Sequence, residues 1–239
     1  MQEITPKQTL HKRLIMQLIY DPASTSSRIV TFFLHDHAID FDGRIVSVMV
    51  GEQFQPDFAA INPNCEVPVL VEGDGFRLTQ SAVILQYLAQ QRGLDVYPSG
   101  LRERAKVDEA MSWFKTNFHI YHCALLSYTH ILPTFQAMEP TMLATVRAIG
   151  QGGSDKYLKV LNDHMIGSND YICGKRITLA DYVGAANVTL GYAAGMDFAA
   201  YPNVVRWLKT LRHHKGWAPA YSAFEGMLAA AAAQSQKVA

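Results

Sequence analysis

The sequence predicts a small α/β domain followed by an all-helical domain. Strand and helix signals alternate over residues 14–88 in the order β-α-β-α-β-β-α. A Gly- and Pro-marked stretch, Gly93-Leu-Asp-Val-Tyr-Pro-Ser-Gly100, then reads as a linker. From Leu101 onward strand signals stop and apolar residues recur at helical spacing. The expected division is a tail at 1–13, an α/β domain at 14–93, a linker at 94–101 and a helical domain at 102–239.

Leu14 to Tyr20 is a compact apolar strand. Asp21-Pro22-Ala23-Ser24 is a turn whose serine can cap a helix carrying Ile29, Phe32 and Phe33 on one face. Phe41 to Val50 reads as a second strand, and Gln53 to Ile61 as a short irregular helix with Pro56 near its start. Val67 to Val71 and Phe76 to Leu78 are strands joined by Gly73-Asp74-Gly75, residues that reach positive φ cheaply. After Thr79-Gln80-Ser81, the residues Val83, Ile84, Tyr87 and Leu88 mark a helix. Two polar side chains thus stand where a strand becomes a helix. Unpaired amides and the positive dipole end there suit a carboxylate.

In the second half, Val107, Met111, Phe114, Phe118 and Tyr121 form an apolar stripe on a long helix over Leu101 to Tyr128. Thr141 to Met165 is another helix, expected to break at Gly150-Gln151-Gly152-Gly153. Thr178 and Asp181 have the spacing of a capping box, flanked by Ile177 and Tyr182 at the positions of a hydrophobic staple. Tyr201-Pro202-Asn203 opens a helix through Arg212, and Trp217 to Met227 begins the last one.

Composition bounds the function classes. Lys plus Arg and Asp plus Glu are 21 each among 239 residues, so charge gives no argument for nucleic acid or an anionic membrane as partner. Cys65, Cys123 and Cys173 are too few and too scattered for a disulfide framework, which fits a reducing, cytoplasmic setting. No apolar run approaches the roughly 20 residues of a membrane span. The polar start, Met1 to Lys12, has no apolar core of a signal peptide. His119, His122, Cys123 and His130 cluster, but a metal site needs three or four convergent ligands, and none is expected.

Asn62-Pro63, Val67-Pro68-Val69-Leu70, Gln80-Ser81 and Gln86-Tyr87-Leu88 together resemble the glutathione site of the glutathione S-transferase superfamily. Pro22-Ala23-Ser24-Thr25-Ser26-Ser27-Arg28 resembles the Ser-x-x-x-Arg element of its theta-type and related bacterial members. Tyr171-Ile172-Cys173-Gly174 and the capping box resemble the helical domain of the same proteins. The resemblance implies a thioredoxin-like N-terminal domain, a cis Val67-Pro68 bond and a homodimer. It implies glutathione as co-substrate and a detoxifying transferase activity.

The residue roles follow from that resemblance. Ser24 would donate to the glutathione thiol, with Thr25, Ser26, Ser27 and Tyr20 as alternatives. Val67 and Pro68 would pair with the cysteinyl backbone, Gln80 and Ser81 would hold the γ-glutamyl end, and Gln53 the glycyl carboxylate. Asp108 would approach the amino group. The family's basic residue before Val-Pro is Glu66 here, so Arg44 or a cation from the helical domain would have to compensate. A small apolar electrophile would meet Trp113, Phe114, Asn117, Tyr121, Trp217 and Tyr221, with Thr116 beside them. The reaction would be conjugation, dehalogenation or ether cleavage.

Magnitudes allow this chemistry. A thiol of pKa about 8.5 is only a few per cent thiolate at neutral pH. Lowering that pKa by ~2 takes about 2.7 kcal/mol of preferential thiolate binding. One hydrogen bond to a charged acceptor contributes about 1.5–3 kcal/mol, and a helix N-terminus about 0.3–1. A single hydroxyl at a helix start is enough. No cysteine stands at that helix start, which excludes thiol–disulfide exchange there, and Cys65 is read as a bystander. Two alternatives stand. Gln53-Phe54-Gln55-Pro56-Asp57-Phe58 with Gln80-Ser81 also resembles the maleylacetoacetate isomerases, although Ala23-Ser24-Thr25 replaces their Ser-Ser-Cys. Glu66 fits a non-catalytic glutathione-transferase-like binding protein.

Overall fold

The computed structural model describes residues 16–238. The expected tail and the start of the first strand, Leu14 and Ile15, lie outside the described residues. The first half runs β1 (Gln17–Tyr20), α1 (Thr25–Asp36), β2 (Asp42–Ile45), β3 (Val69–Val71), β4 (Arg77–Leu78) and α2 (Ser81–Gln91). Helical turns at Val48–Val50, Glu52–Phe54 and Pro56–Ala59 lie between β2 and β3. The sheet order is β2-β1-β3-β4, with β1 parallel to β2 and antiparallel to β3.

Alternation along the strands sorts the core. Leu18 pairs with Leu70, and both pack with Ile29 and Phe33 of α1 and Ile84 and Leu88 of α2. Ile19 and Val69 point the other way and pack with Val46, Phe58 and Val67.

The second strand is shorter than the expected Phe41–Val50. The Val48 amide donates to Asp21 Oδ2 at 2.9 Å and the Ser47 amide to Glu52 Oε2 at 2.7 Å. These side chains draw the backbone away from the ladder, and Gly51 at φ 81° turns it back. The hairpin between β3 and β4 forms as expected, with Gly75 at φ 92° and the Glu72 amide donating to Phe76 O.

The helical half holds α3 (Leu101–Trp113), α4 (Pro140–Val160), α5 (Leu179–Thr189), α6 (Pro202–Arg212) and α7 (Trp217–Val238). The helix of α3 continues through a wider, π-type stretch, Phe114–Ser127, and a last turn, Tyr128–Ile131. That of α4 continues likewise through Leu161–Ile166.

The expected break at residues 150–153 is absent. A Cβ on Gly150 would stand 2.6 Å from the Leu125 carbonyl carbon, and one on Gly153 would meet the Tyr121 ring. These glycines let two helices approach closely rather than ending one.

Every residue of α5 is buried. Its capping box is present, with the Thr178 amide donating to Asp181 Oδ2 at 2.8 Å. Asp181 also accepts from the Ile172 amide and Trp207 Nε1, each at 2.9 Å, which ties the preceding loop and α6 to the helix start. The two halves meet where α1 packs on α5 and α7. There Arg28 Nη1 donates to Thr189 Oγ1 at 3.1 Å, and the Phe32 ring meets Tyr182, Trp217 and Tyr221 edge-on.

Candidate functional site

A polar groove of about 500 Å³ opens between the sheet end of the first half and α3 with its extension. Ser24, Gln53, Val67, Pro68, Gln80 and Ser81, six positions singled out in the sequence, all line it.

Each is placed by local structure. Asn62 Nδ2 donates to Glu66 O at 2.7 Å and so shapes the loop that presents Val67. The Val67–Pro68 peptide is cis. Gln80 is held at φ 67°, a conformation costly for a residue with a Cβ, and it aims the start of α2 into the groove. Ser81 is buried and its Oγ has no partner; Gln53 Oε1 is likewise buried and unpartnered. Such atoms are expensive to leave without a hydrogen bond. They suit a polar ligand that completes them.

At the start of α1, Ser24 is the N-cap and its Oγ accepts from the Ser27 amide at 3.5 Å. Its hydroxyl proton is not used in that bond. The alternatives stand elsewhere. Ser27 is buried and its Oγ accepts from the Asp21 amide. Thr25 is buried and hydrogen-bonds Tyr128. Tyr20 packs its ring on Phe41 and does not line the groove. Ser26 lines the groove with Ser24.

Asp108 accepts from Gln86 Nε2 at 2.7 Å and from Tyr97 Oη at 2.9 Å, and it does not line the groove of its own chain. Lys115 and His119, one helical turn apart, line it instead. Lys115 is the one Lys or Arg among the described lining residues, whereas Arg44 is paired with Asp57 at 2.7 Å. Burial pushes the Lys115 ammonium down from its ordinary range, and the nearby Glu66 opposes this. His119 Nδ1 lies 2.9 Å from Asn187 Oδ1, and burial lowers its pKa. No cluster of potential metal ligands occurs among the described residues.

A second, apolar cleft of about 230 Å³ adjoins the first. Trp113, Phe114, Asn117, Tyr121, Trp217 and Tyr221 are not among the residues that line it. Phe114 is fully buried, and Trp113 packs on it and on Phe118 and Tyr157. Asn117 and Tyr121 face Tyr157. Trp217 and Tyr221 stack with ring centroids 3.8 Å apart and wall a separate cavity. In sequence an aromatic of the core looks like an aromatic of a cleft. The cleft is lined instead by Val48 and Met49 from the first half and by Ile131, Leu132, Leu190, Phe224 and Met227 from the second. Met49 and the neighbouring Val50 stay accessible in the apolar run after β2. Ser24, Val48 and Tyr128 line both cavities.

Such a two-domain chain, with a polar groove at a cis-proline loop, defines a protein of the glutathione transferase type. Residues 23–91 match the family model for the glutathione S-transferase N-terminal domain, and residues 122–215 match that for the C-terminal domain. The chain belongs to the glutathione S-transferase family and is an enzyme of that family.

Among its relatives, mouse (Mus musculus) glutathione S-transferase theta-3 is 30% identical over 206 residues, covering 84% of this chain and 83% of the relative. Human (Homo sapiens) theta-1 is 31% identical over 80% of each chain. The apo structure of human T1-1 superposes with a TM-score of 0.76 at 27% identity, covering 87% of this chain and 89% of the other. That of human theta-2, in complex with glutathione and an unknown ligand, gives 0.80 at 25% identity over 92% and 91%.

Proposed function

We propose that the polar groove holds glutathione, that the adjoining cleft holds an apolar electrophile, and that Ser24 stabilises the thiolate between them. The observation that carries this is the position of Ser24, a helix N-cap residue that lines both cavities. Its Oγ takes the Ser27 amide, which leaves the hydroxyl proton to donate to sulfur. The start of α1 adds the positive end of the helix dipole. Together these favour thiolate over thiol, and the thiol proton passes to water.

The remaining contacts divide by chemistry. Val67 offers backbone for strand-like pairing with the cysteinyl unit. Ser81 Oγ and the amides at the start of α2 suit the γ-glutamyl carboxylate, with Gln80 beside them. Gln53 and the Lys115 ammonium suit the glycyl end. The walls of the cleft select an apolar body and exclude water from the attacking sulfur. The working unit on this reading is a cytoplasmic homodimer, which light scattering would check.

Ser24→Ala tests it through the ultraviolet absorbance of bound thiolate titrated against pH. The expected result is a thiol pKa that rises toward its free value and a turnover at neutral pH that falls about tenfold or more. A parent that raises no thiolate absorbance with glutathione overturns the transferase mechanism. A variant as active as the parent moves the donor to another group.

A further inference from the structure

His119 stands where the helical half closes the groove, one turn after Lys115 in the π-type stretch that follows α3. It lies at the Ser24 end. Its ring meets the Tyr128 ring edge-on with centroids 5.9 Å apart, Tyr128 hydrogen-bonds Thr25, and Thr25 follows Ser24 in the chain. The tautomer of the imidazole is fixed from behind. Asn187 is buried on α5, and its Nδ2 donates to Val183 O at 2.8 Å. Its Oδ1 is thereby turned to His119 Nδ1, at 2.9 Å, and to Cys123 Sγ, at 3.3 Å. An amide oxygen only accepts, so the hydrogen of the neutral ring sits on Nδ1. Nε2 keeps its lone pair and has no protein partner among the described residues. Burial, helped by the charge of Lys115, outweighs the Asn187 hydrogen bond and lowers the pKa of the ring, which is neutral in the empty groove. The other groups around it carry no positive charge. Burial keeps Cys123 and Tyr128 protonated and His122 neutral, and Glu66 is the one carboxylate among the described lining residues.

Resting on the reading of the groove as the glutathione site, we propose that His119 is a second catalytic residue, whose Nε2 takes the thiol proton and holds the thiolate as an imidazolium–thiolate pair. The S–H bond breaks, its electron pair stays on sulfur, and the proton goes to Nε2, while Ser24 donates to the same sulfur from the other half of the protein. A negative charge beside the ring favours its protonated form, so the pair forms where the free ring stays neutral. When sulfur then bonds to the carbon of an alkyl halide, halide leaves with the electron pair of the broken bond, and Nε2 gives its proton to water. The sum is one glutathione, one alkyl halide and one water giving one thioether, one halide ion and one hydronium ion. Water receives the thiol proton only at this last stage.

The test adds glutathione, without electrophile, to the parent and to His119→Gln in weakly buffered solution at neutral pH. Thiolate is read by its ultraviolet absorbance and released protons by an indicator dye. The expected result is about half a proton or less released per thiolate in the parent, and about one in the variant. The thiol pKa of the variant should rise by about 1, with turnover of benzyl chloride lost several-fold at neutral pH and regained near about pH 9, where thiolate forms unaided. A variant that has merely lost its fold regains nothing at high pH. A parent that releases a full proton per thiolate overturns the proposal with no variant needed. A His119→Gln protein that still withholds the proton overturns it too, because another group then holds it. A parent that forms no thiolate at all removes the glutathione reading, and the proposal with it.

Discussion

The Tyr182 hydroxyl donates a 2.7 Å hydrogen bond to Asp36 Oδ2, joining the last residue of α1 to the first turn of α5. His214 Nδ1 lies 3.0 Å from the same oxygen, and the Gly216 amide donates to Oδ1 at 3.3 Å. A carboxylate at a helix C-terminus is electrostatically misplaced. Here it is the acceptor that fastens the first half to two elements of the second. Burial pushes the Asp36 carboxyl up, but the bonds from His214 and Tyr182 outweigh it and hold the pKa below the ordinary range.

Asp36→Ala should therefore cost about 2–4 kcal/mol in urea unfolding at neutral pH, because it leaves buried donors without an acceptor. Tyr182→Phe should cost about 1–2 kcal/mol, and the double variant less than the sum. A depressed carboxyl contributes stability above its unfolded pKa and loses it as pH falls through the folded one. The gap between parent and Asp36→Ala should thus narrow below about pH 4. A gap that is small at neutral pH, or constant down to acid, would remove Asp36 from the junction.

The glycines of α4 make opposite predictions at two positions two residues apart. A Cβ at Gly150 would press on the Leu125 backbone at 2.6 Å, whereas one at Gly152 meets nothing within 4 Å. Gly152→Ala should gain about 0.5–1 kcal/mol from helix propensity alone. Gly150→Ala should lose about 1–3 kcal/mol, since overpacking against backbone outweighs that gain. Thermal melting of the two variants checks both signs, and a stabilised Gly150→Ala would mean that the helices can move apart at little cost.

Those glycines also show which features the sequence discloses. The corner at residues 62–88 was legible because each part has a local cause: a proline turn, a glycine hairpin and a polar helix start. The Thr178–Asp181 capping box was legible for the same reason. The Gly150–Gly153 run has a nonlocal cause, the close approach of Leu125 and Tyr121, which the local sequence does not distinguish from a break. The apolar run of the second strand continues to Val50, while the side chains that capture its amides, Asp21 and Glu52, lie outside it. The cleft wall has no local signature in the sequence. It is assembled from Val48–Met49, Ile131–Leu132 and Phe224–Met227, which only the packing of α7 and the end of α3 brings together. Lys115 and His119 were within reach, being four apart on one helix face, but nothing local says which face meets the groove.

His122 should make the protein lose stability in acid. Its ring is fully buried, with Nδ1 2.8 Å from Ser154 Oγ and Nε2 3.1 Å from Val188 O. The arrangement fits a neutral imidazole that donates from Nε2 to the Val188 carbonyl and accepts at Nδ1 from the serine. Burial pushes its pKa down to about 4. On unfolding the ring regains a pKa near 6.5, so between these values the unfolded chain binds the extra proton. Stability is then lost as pH falls from about 6.5 toward 4, by about 3 kcal/mol from this residue. His35, His37, His119 and His130 are also lowered by burial and add to the parent's slope, so the residue must be isolated by difference. His122→Gln should be less stable than the parent at neutral pH and should close most of that gap as the pH approaches 4. Urea unfolding of both proteins across this range measures the convergence, and parallel curves would show that His122 does not titrate between its folded and unfolded states.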